Sequence, residues 1–130
     1  KGLLMTAPGT DLSESKAFDF NITYYLSGPM AGYENHNFEA FELAAQHLRD
    51  SGVSLIAPNE LKPPQDEPEE MDYLAHDFAV MSSACKGIIL LKGWPASRGA
   101  RAELEIALTL GWPVYFYHDF ALIDMNRIKP

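Results

Sequence analysis

The order of apolar and polar positions divides the chain into short strands alternating with amphipathic helices. Ile22 to Ser27 (ITYYLS) is β-branched and aromatic and stops at Gly28-Pro29, which predicts a strand running into the loop SGPMAGYENHN. From Asn37 the pattern changes to helical spacing: Phe38, Phe41, Ala44, Ala45 and Leu48 form one stripe, Glu39, Glu42, Gln46 and Arg49 lie mostly off it, and Ser51-Gly52 ends it. Val53 to Ala57 is a second short strand, and Pro58 to Glu70, rich in proline and acids, is a surface loop long enough to act as a lid. Met71 to Ala84 reads as a second helix, Gly87 to Lys92 as a buried strand, and Gly93 to Gly99 as a loop. Ala100 to Leu110 is a third helix closed by Gly111, and Val114 to Tyr117 is a fourth strand. This alternation predicts an α/β fold, a flavodoxin- or Rossmann-like three-layer sandwich on a parallel sheet of order 2-1-3-4 with room for a fifth strand. One domain over residues 22–130 is expected, preceded by an arm or dimer-contact segment over residues 1–21, where no period is sustained.

Composition narrows the function classes. At 130 residues with 47% apolar content, the chain can bury a core, so disorder over most of its length is excluded. A formal charge of −8 argues against a nucleic-acid polymer or an anionic membrane surface as the main partner and leaves small ligands open. The single cysteine, Cys85, has no internal partner, and no apolar run approaches the roughly 18 residues a membrane span needs. Leu3-Leu4-Met5 is too short for a signal-peptide core, so a soluble, cytoplasmic protein is expected.

Projecting the helices at about 100° per residue locates the candidate chemistry. The first helix keeps its charges off its apolar stripe. In the second, Leu74, Phe78, Met81 and Cys85 mark one face, Tyr73, Val80 and Ala84 extend it, and Asp77 falls among them, whereas Asp72, His76, Ser82 and Ser83 project to the polar side. In the third, Glu103 lies among Ala100, Leu104, Ala107, Leu108 and Leu110, and Glu105 sits with Arg101 and Thr109 on the wet side. Burying an ionised carboxylate costs several kcal/mol unless it is paired, hydrogen-bonded or neutralised, so two inward acids on neighbouring helices need a reason. The bland one is an ion pair, or a first-turn acid facing the helix dipole at Glu103.

In an open parallel sheet, ligands bind beyond the carboxyl ends of the strands where strand order reverses, here between the first and third strands. The loops at that crevice are Ser27-Gly28-Pro29-Met30-Ala31-Gly32 and Gly93-Trp94-Pro95-Ala96-Ser97-Arg98-Gly99. Both are small-residue loops leading into a helix, which offers backbone N–H groups to an anion or sugar, although glycine and proline mark ordinary turns as well. Trp94 and Tyr33 are placed to stack on a planar base or simply to pack between loops.

YLSGPMAG, the Asn-Phe start of the first helix, Asp77, and GWPASRGARAELEIALTLGWPV resemble the nucleoside 2-deoxyribosyltransferase-like superfamily, which includes deoxynucleoside-monophosphate N-glycosidases, and most closely a small bacterial and phage branch of it. The likeness spans about Tyr24 to Tyr117, and its most specific part is Ser97-Arg98-Gly99-Ala100-Arg101-Ala102-Glu103. It implies Glu103 as the nucleophile that attacks C1′ of a sugar, Asp77 as the acid that protonates the departing base, and Tyr25 as the hydroxyl that orients Glu103. It further implies a substrate-binding set of Ser27, Gly28, Pro29, Met30, Gly32, Trp94, Ser97, Arg98 and Gly99, with Ser97 and the backbone around Gly28 on the 5′ end. A covalent glycosyl ester, released by water or by another base, gives a hydrolase or a transferase acting on a nucleoside or its 5′-monophosphate with no cofactor. The monophosphate N-glycosidases carry an arginine where Ala31 stands, and Arg98 is the candidate replacement. Asp124-Met125-Asn126 resembles a segment that some members insert into a neighbouring subunit, which implies at least a homodimer with Asn126 as a substrate contact.

Other candidates are weaker. His76, His118 and Asp77 fit no familiar metal-ligand spacing, Cys85 lies on an apolar stripe, and His36 is a loop histidine. Two rivals remain at this level: a nucleotide-binding sensor without turnover, and a receiver or flavin protein, although a receiver wants acids where this first strand ends in Ser27-Gly28.

Overall fold

The structure is a computed structural model that describes residues 4–6, 18–61 and 70–126. Nine main elements follow one another: β1 (Leu4–Thr6), β2 (Thr23–Ser27), α1 (Phe38–Asp50), β3 (Ser54–Ile56), α2 (Glu70–Ala84), β4 (Gly87–Leu90), α3 (Arg98–Thr109), β5 (Val114–His118) and β6 (Ala121–Asp124). They build one six-stranded sheet of order β1-β6-β5-β4-β2-β3. The four strands expected from the sequence stand in the expected 2-1-3-4 order, all parallel. Beyond them β6 returns antiparallel to β5, and β1 adds parallel to β6.

Period-2 alternation along the buried strands feeds two apolar layers. Tyr24, Leu26, Ile89 and Tyr115 face α1, meeting its stripe of Phe41, Ala44, Ala45 and Leu48. Tyr25, Ile88, Leu90 and Val114 face the other way, toward Met81 and Cys85 near the end of α2 and Ala107 on α3. Tyr24, Tyr25, Leu26, Phe41, Leu48, Met81, Ile88, Ile89 and Leu90 are fully buried, and each apolar side chain of this size contributes about 1.5–3 kcal/mol by leaving water. Burial pushes the Cys85 thiol up to about 11, so it is a packing group and not a nucleophile.

Three expectations need correction. The amino-terminal segment is more than an arm: residues 4–6 extend the sheet, and Phe18 packs into the core against Tyr24 at a ring separation of 4.8 Å. The third helix begins at Arg98, not Ala100, because Ser97 caps it. Finally, Tyr73, Ala84, Leu108 and Leu110 are exposed. On α3 the buried stripe is only Ala100, Glu103 and Ala107, spaced i, i+3, i+7. Leu108 is about 100° round from Ala107, and Leu110 is the helix C-cap, so both leave that narrow arc.

Among the described residues no helix is long and apolar enough to cross a membrane. The expected loop over residues 58–70 begins with a short helical turn, Pro58–Glu60, and residues 62–69 lie outside the described part.

Candidate active site

Small residues on α3 bring a carboxylate to the sheet. With alanine at 100 and 107, the helix lies close to β2 and β4, and Glu103, midway along that stripe, reaches the carboxyl end of β2 while only 5% exposed. There two hydroxyls meet it. Tyr25 and Ser27 are two residues apart on β2 and so share the face turned to α2 and α3. The Ser27 hydroxyl donates to Glu103 Oε1 at 2.6 Å, and the Tyr25 phenol donates to Oε2 at 3.3 Å. Asp77, half-buried on α2, stands near enough to act on the same phenol. One phenol thus interacts with both acids.

The electrostatics follow from this crowding. Burial pushes the Glu103 carboxyl up to about 8; the Ser27 hydrogen bond opposes the rise, the charge of Asp77 adds to it, and the Tyr25 hydrogen bond opposes it. Burial likewise lifts Asp77 to about 6, against the Tyr25 hydroxyl and the charge of His76. Glu103 is therefore the weaker acid although it has the two hydroxyl donors, because it is the more deeply buried of the two. The carboxyls interact, so they titrate as a pair that holds about one proton near neutral pH. Burial, then the charges of Glu103 and Asp77, hold the Tyr25 phenol far above its ordinary value, so it remains a donor throughout.

Glu103 lies in the second turn of α3, since the helix starts at Arg98, and the first turn holds no acid. The helix-dipole explanation for its inward position therefore falls away. Nor is it half of an ion pair: its partners are two hydroxyls and a second carboxyl.

The remaining residues singled out in the sequence distribute as follows. Gly28 follows β2 directly, and a Cβ there would stand 2.9 Å from Leu91 Cβ, so only glycine lets the loops after β2 and β4 approach this closely. Leu91 N–H donates to the Ser27 carbonyl at 2.8 Å and locks that approach. Pro29 and Met30 turn toward α1: the Pro29 carbonyl accepts from the Asn37 side chain at 2.9 Å, and Met30 packs on the α1-side core. Gly32 is an exposed turn glycine at φ +82°, with open space around it. Trp94 packs half-buried on the α2/α3 side, and Arg98 opens α3, with Gly99 next to it. The Ser97 hydroxyl accepts from Ala100 N–H at 3.1 Å as the N-cap. Ser97→Ala is expected to cost about 1 kcal/mol of stability, read from the urea unfolding midpoint.

Asn126 does not join this group. Its side chain accepts from Val114 N–H at 2.7 Å, at the amino end of β5, and its own N–H donates to Asp124 at 2.8 Å. That is the opposite end of the parallel strands from Ser27, so Asn126 fastens β6 to β5 within its own chain.

Sequence reasoning took Ser27 for a substrate contact and missed its tie to Glu103. The signal was available: Tyr25 and Ser27 alternate onto one face of a strand whose carboxyl end borders the same crevice as the inward acid. A groove of about 570 Å³ opens elsewhere, between α1 and the β5–β6 turn, with Tyr33, Lys92 and Phe120 on its walls. It lies on the α1 face of the sheet and does not contain the acid pair. Among the described residues no group of three or more histidines, cysteines or acids is placed to hold a metal.

Comparison with known proteins gives the following. A family model described as a domain of unknown function, DUF4406, matches residues 22–116. Curated proteins yield no match. Among solved structures, a 2-deoxyribosyltransferase from the psychrotolerant bacterium Bacillus psychrosaccharolyticus superposes with a TM-score of 0.57 at 22% identity, covering 72% of this chain and 70% of that one. At that identity the likeness is one of fold.

Proposed function

The chain belongs to the DUF4406 family, domains of unknown function, and from its buried acid pair we propose that it cleaves the N-glycosidic bond of a nucleoside or nucleoside 5′-monophosphate through a covalent ester on Glu103. The observation that carries this reading is the buried Glu103 carboxyl held by the Tyr25 and Ser27 hydroxyls, with Asp77 near enough for its charge to act on Glu103. Two buried acids whose charges act on each other and on one phenol form the kind of carboxyl pair that glycosidases use. The solved 2-deoxyribosyltransferase of the same fold agrees with nucleoside chemistry.

In the first step the Glu103 carboxylate attacks C1′, the C1′–N bond breaks, its electron pair stays on the base nitrogen, and the Asp77 proton passes to the base. In the second, water attacks C1′, Asp77 takes its proton, and the sugar leaves with retained configuration while Glu103 is regenerated. A base nitrogen in place of water makes the same protein a transferase. Asp77 starts protonated and Glu103 starts charged, which is one arrangement of the singly protonated pair. Gly28 and the Ser97–Gly99 turn are assigned to the sugar's 5′ end and Trp94 to the base. Arg98 is the charge for a 5′-phosphate, and Asn126 contacts substrate only from a second subunit of a homodimer.

The test is chromatography of a panel of nucleosides and monophosphates after incubation with the protein: base release supports the proposal, and an intact panel, with or without binding, refutes it. A pH optimum follows. Below about 6 both acids are protonated and the nucleophile is lost; above about 8 the last proton is gone and the acid is lost. The profile of kcat/KM is therefore expected to be bell-shaped between these limits, and a flat profile over pH 5–9 would count against the pair.

A further inference from the structure

The two hydroxyls that meet Glu103 are not equivalent. Ser27 Oγ lies 2.6 Å from Oε1, the length of an O–H···O⁻ bond, with Ser27 fully buried and Glu103 nearly so. Tyr25 Oη lies 3.3 Å from Oε2, at the long and weak end of the range, and Asp77 is near enough to compete for its one proton. We infer that Ser27 is a positioning residue which, by holding Oε1, leaves Oε2 as the atom that attacks C1′. The inference rests on Glu103 being the nucleophile.

The physical argument concerns lone pairs and rotamers. Oε1 spends electron density on a short bond from a donor that water does not reach, and the same bond fixes the carboxylate plane. Oε2 loses its donor when the phenol turns to Asp77, which it does as Asp77 gives its proton to the departing base. Nucleophilic density thus concentrates on Oε2. The Ser27 backbone is anchored too, since its carbonyl accepts from Leu91 N–H at 2.8 Å, so the hydroxyl has little room to move away. The groups that face Glu103 are Tyr25 and Ser27 from β2 and Asp77 from α2, with the charge of His76 acting on Asp77. Ser27 is also the first of these to favour the ionised form. Removing it shifts the shared proton toward Glu103.

The experiment compares wild type, Ser27→Ala and Ser27→Cys in two assays. In steady-state base release, Ser27→Ala is expected to lower kcat by about 10- to 100-fold with KM within about threefold, and to move the alkaline limb of the pH profile upward. Ser27→Cys, nearly isosteric with a weak donor, falls between and serves if the alanine variant folds poorly. In the second assay, carbon NMR follows the Glu103 carboxyl in protein labelled with ¹³C-glutamate, its signal identified by loss in Glu103→Gln. Its midpoint is expected to rise in Ser27→Ala. If the wild type turns over and Ser27→Ala matches it in both kcat and carboxyl midpoint, the Ser27 assignment is overturned while the glycosidase reading stands. If the wild type releases no base from any nucleoside or monophosphate, that reading falls and the Oε2 attack falls with it.

Discussion

Glu103→Gln is expected to abolish base release, by roughly 10⁴-fold or more, because an amide neither forms the glycosyl ester nor offers an alternative route. The same change is expected to raise stability in alkaline solution. Folding lifts the Glu103 carboxyl from its ordinary value of 4.5 to about 8, so between these pH values the folded chain keeps a proton that the unfolded chain has lost. Stability therefore falls as pH rises through that window and stays low above it. Glutamine removes the titration. At pH 9 the variant should melt several °C above the wild type, a gain on the order of a few kcal/mol, and at pH 5 the advantage should disappear. A variant inactive yet more stable at high pH is what a buried catalytic acid produces; equal pH dependence of the two melts would show that Glu103 is not held as described.

Asp77→Asn is the second large effect. Loss of the proton donor is expected to lower kcat by about 10²- to 10⁴-fold for ordinary bases, whose nitrogen leaves as a poor anion unless protonated. An N7-methylated purine nucleoside carries a cationic base that departs without a proton, so its cleavage should be far less affected. The alkaline limb of the pH profile belongs to the acid and should vanish. The acidic limb should remain and move below the wild-type position of the Glu103 titration, because the charge of Asp77 is one of the causes that raise it. Equal loss for ordinary and methylated substrates would assign Asp77 to architecture instead of proton transfer.

Most of the frame was legible because its strands are short, apolar and punctuated. Gly28-Pro29 ends β2, Gly111 follows α3, and the four strands between Thr23 and His118 stand in the expected order. The acid pair was legible for a different reason: a carboxylate on an apolar stripe violates helical periodicity, and both Asp77 and Glu103 do so. What escaped had weak local signals. β1 is three residues long and gains its place only by pairing with β6, a contact across most of the chain. Phe18 sits outside any period and is held by Tyr24 and Tyr115. The start of α3 was misplaced because Gly99 reads as a loop residue, whereas the Ser97 cap two residues earlier governs the boundary. Helical projection put Leu108 and Leu110 on the buried arc, although close approach by Ala100 and Ala107 narrows that arc to one that excludes them. Asn126 was matched on a three-residue likeness, and its hydrogen bonds serve the β5–β6 edge.

The central claim is that Glu103 becomes covalently joined to the sugar. A nucleoside bearing 2-fluoro-2-deoxyarabinose slows the second step more than it slows loading, so the ester should accumulate. Peptide mass spectrometry after incubation is expected to show one fluorosugar on the peptide containing Glu103, and none in Glu103→Gln. An adduct on Asp77 or any other residue, or base release from the wild type with no adduct at all, would contradict it.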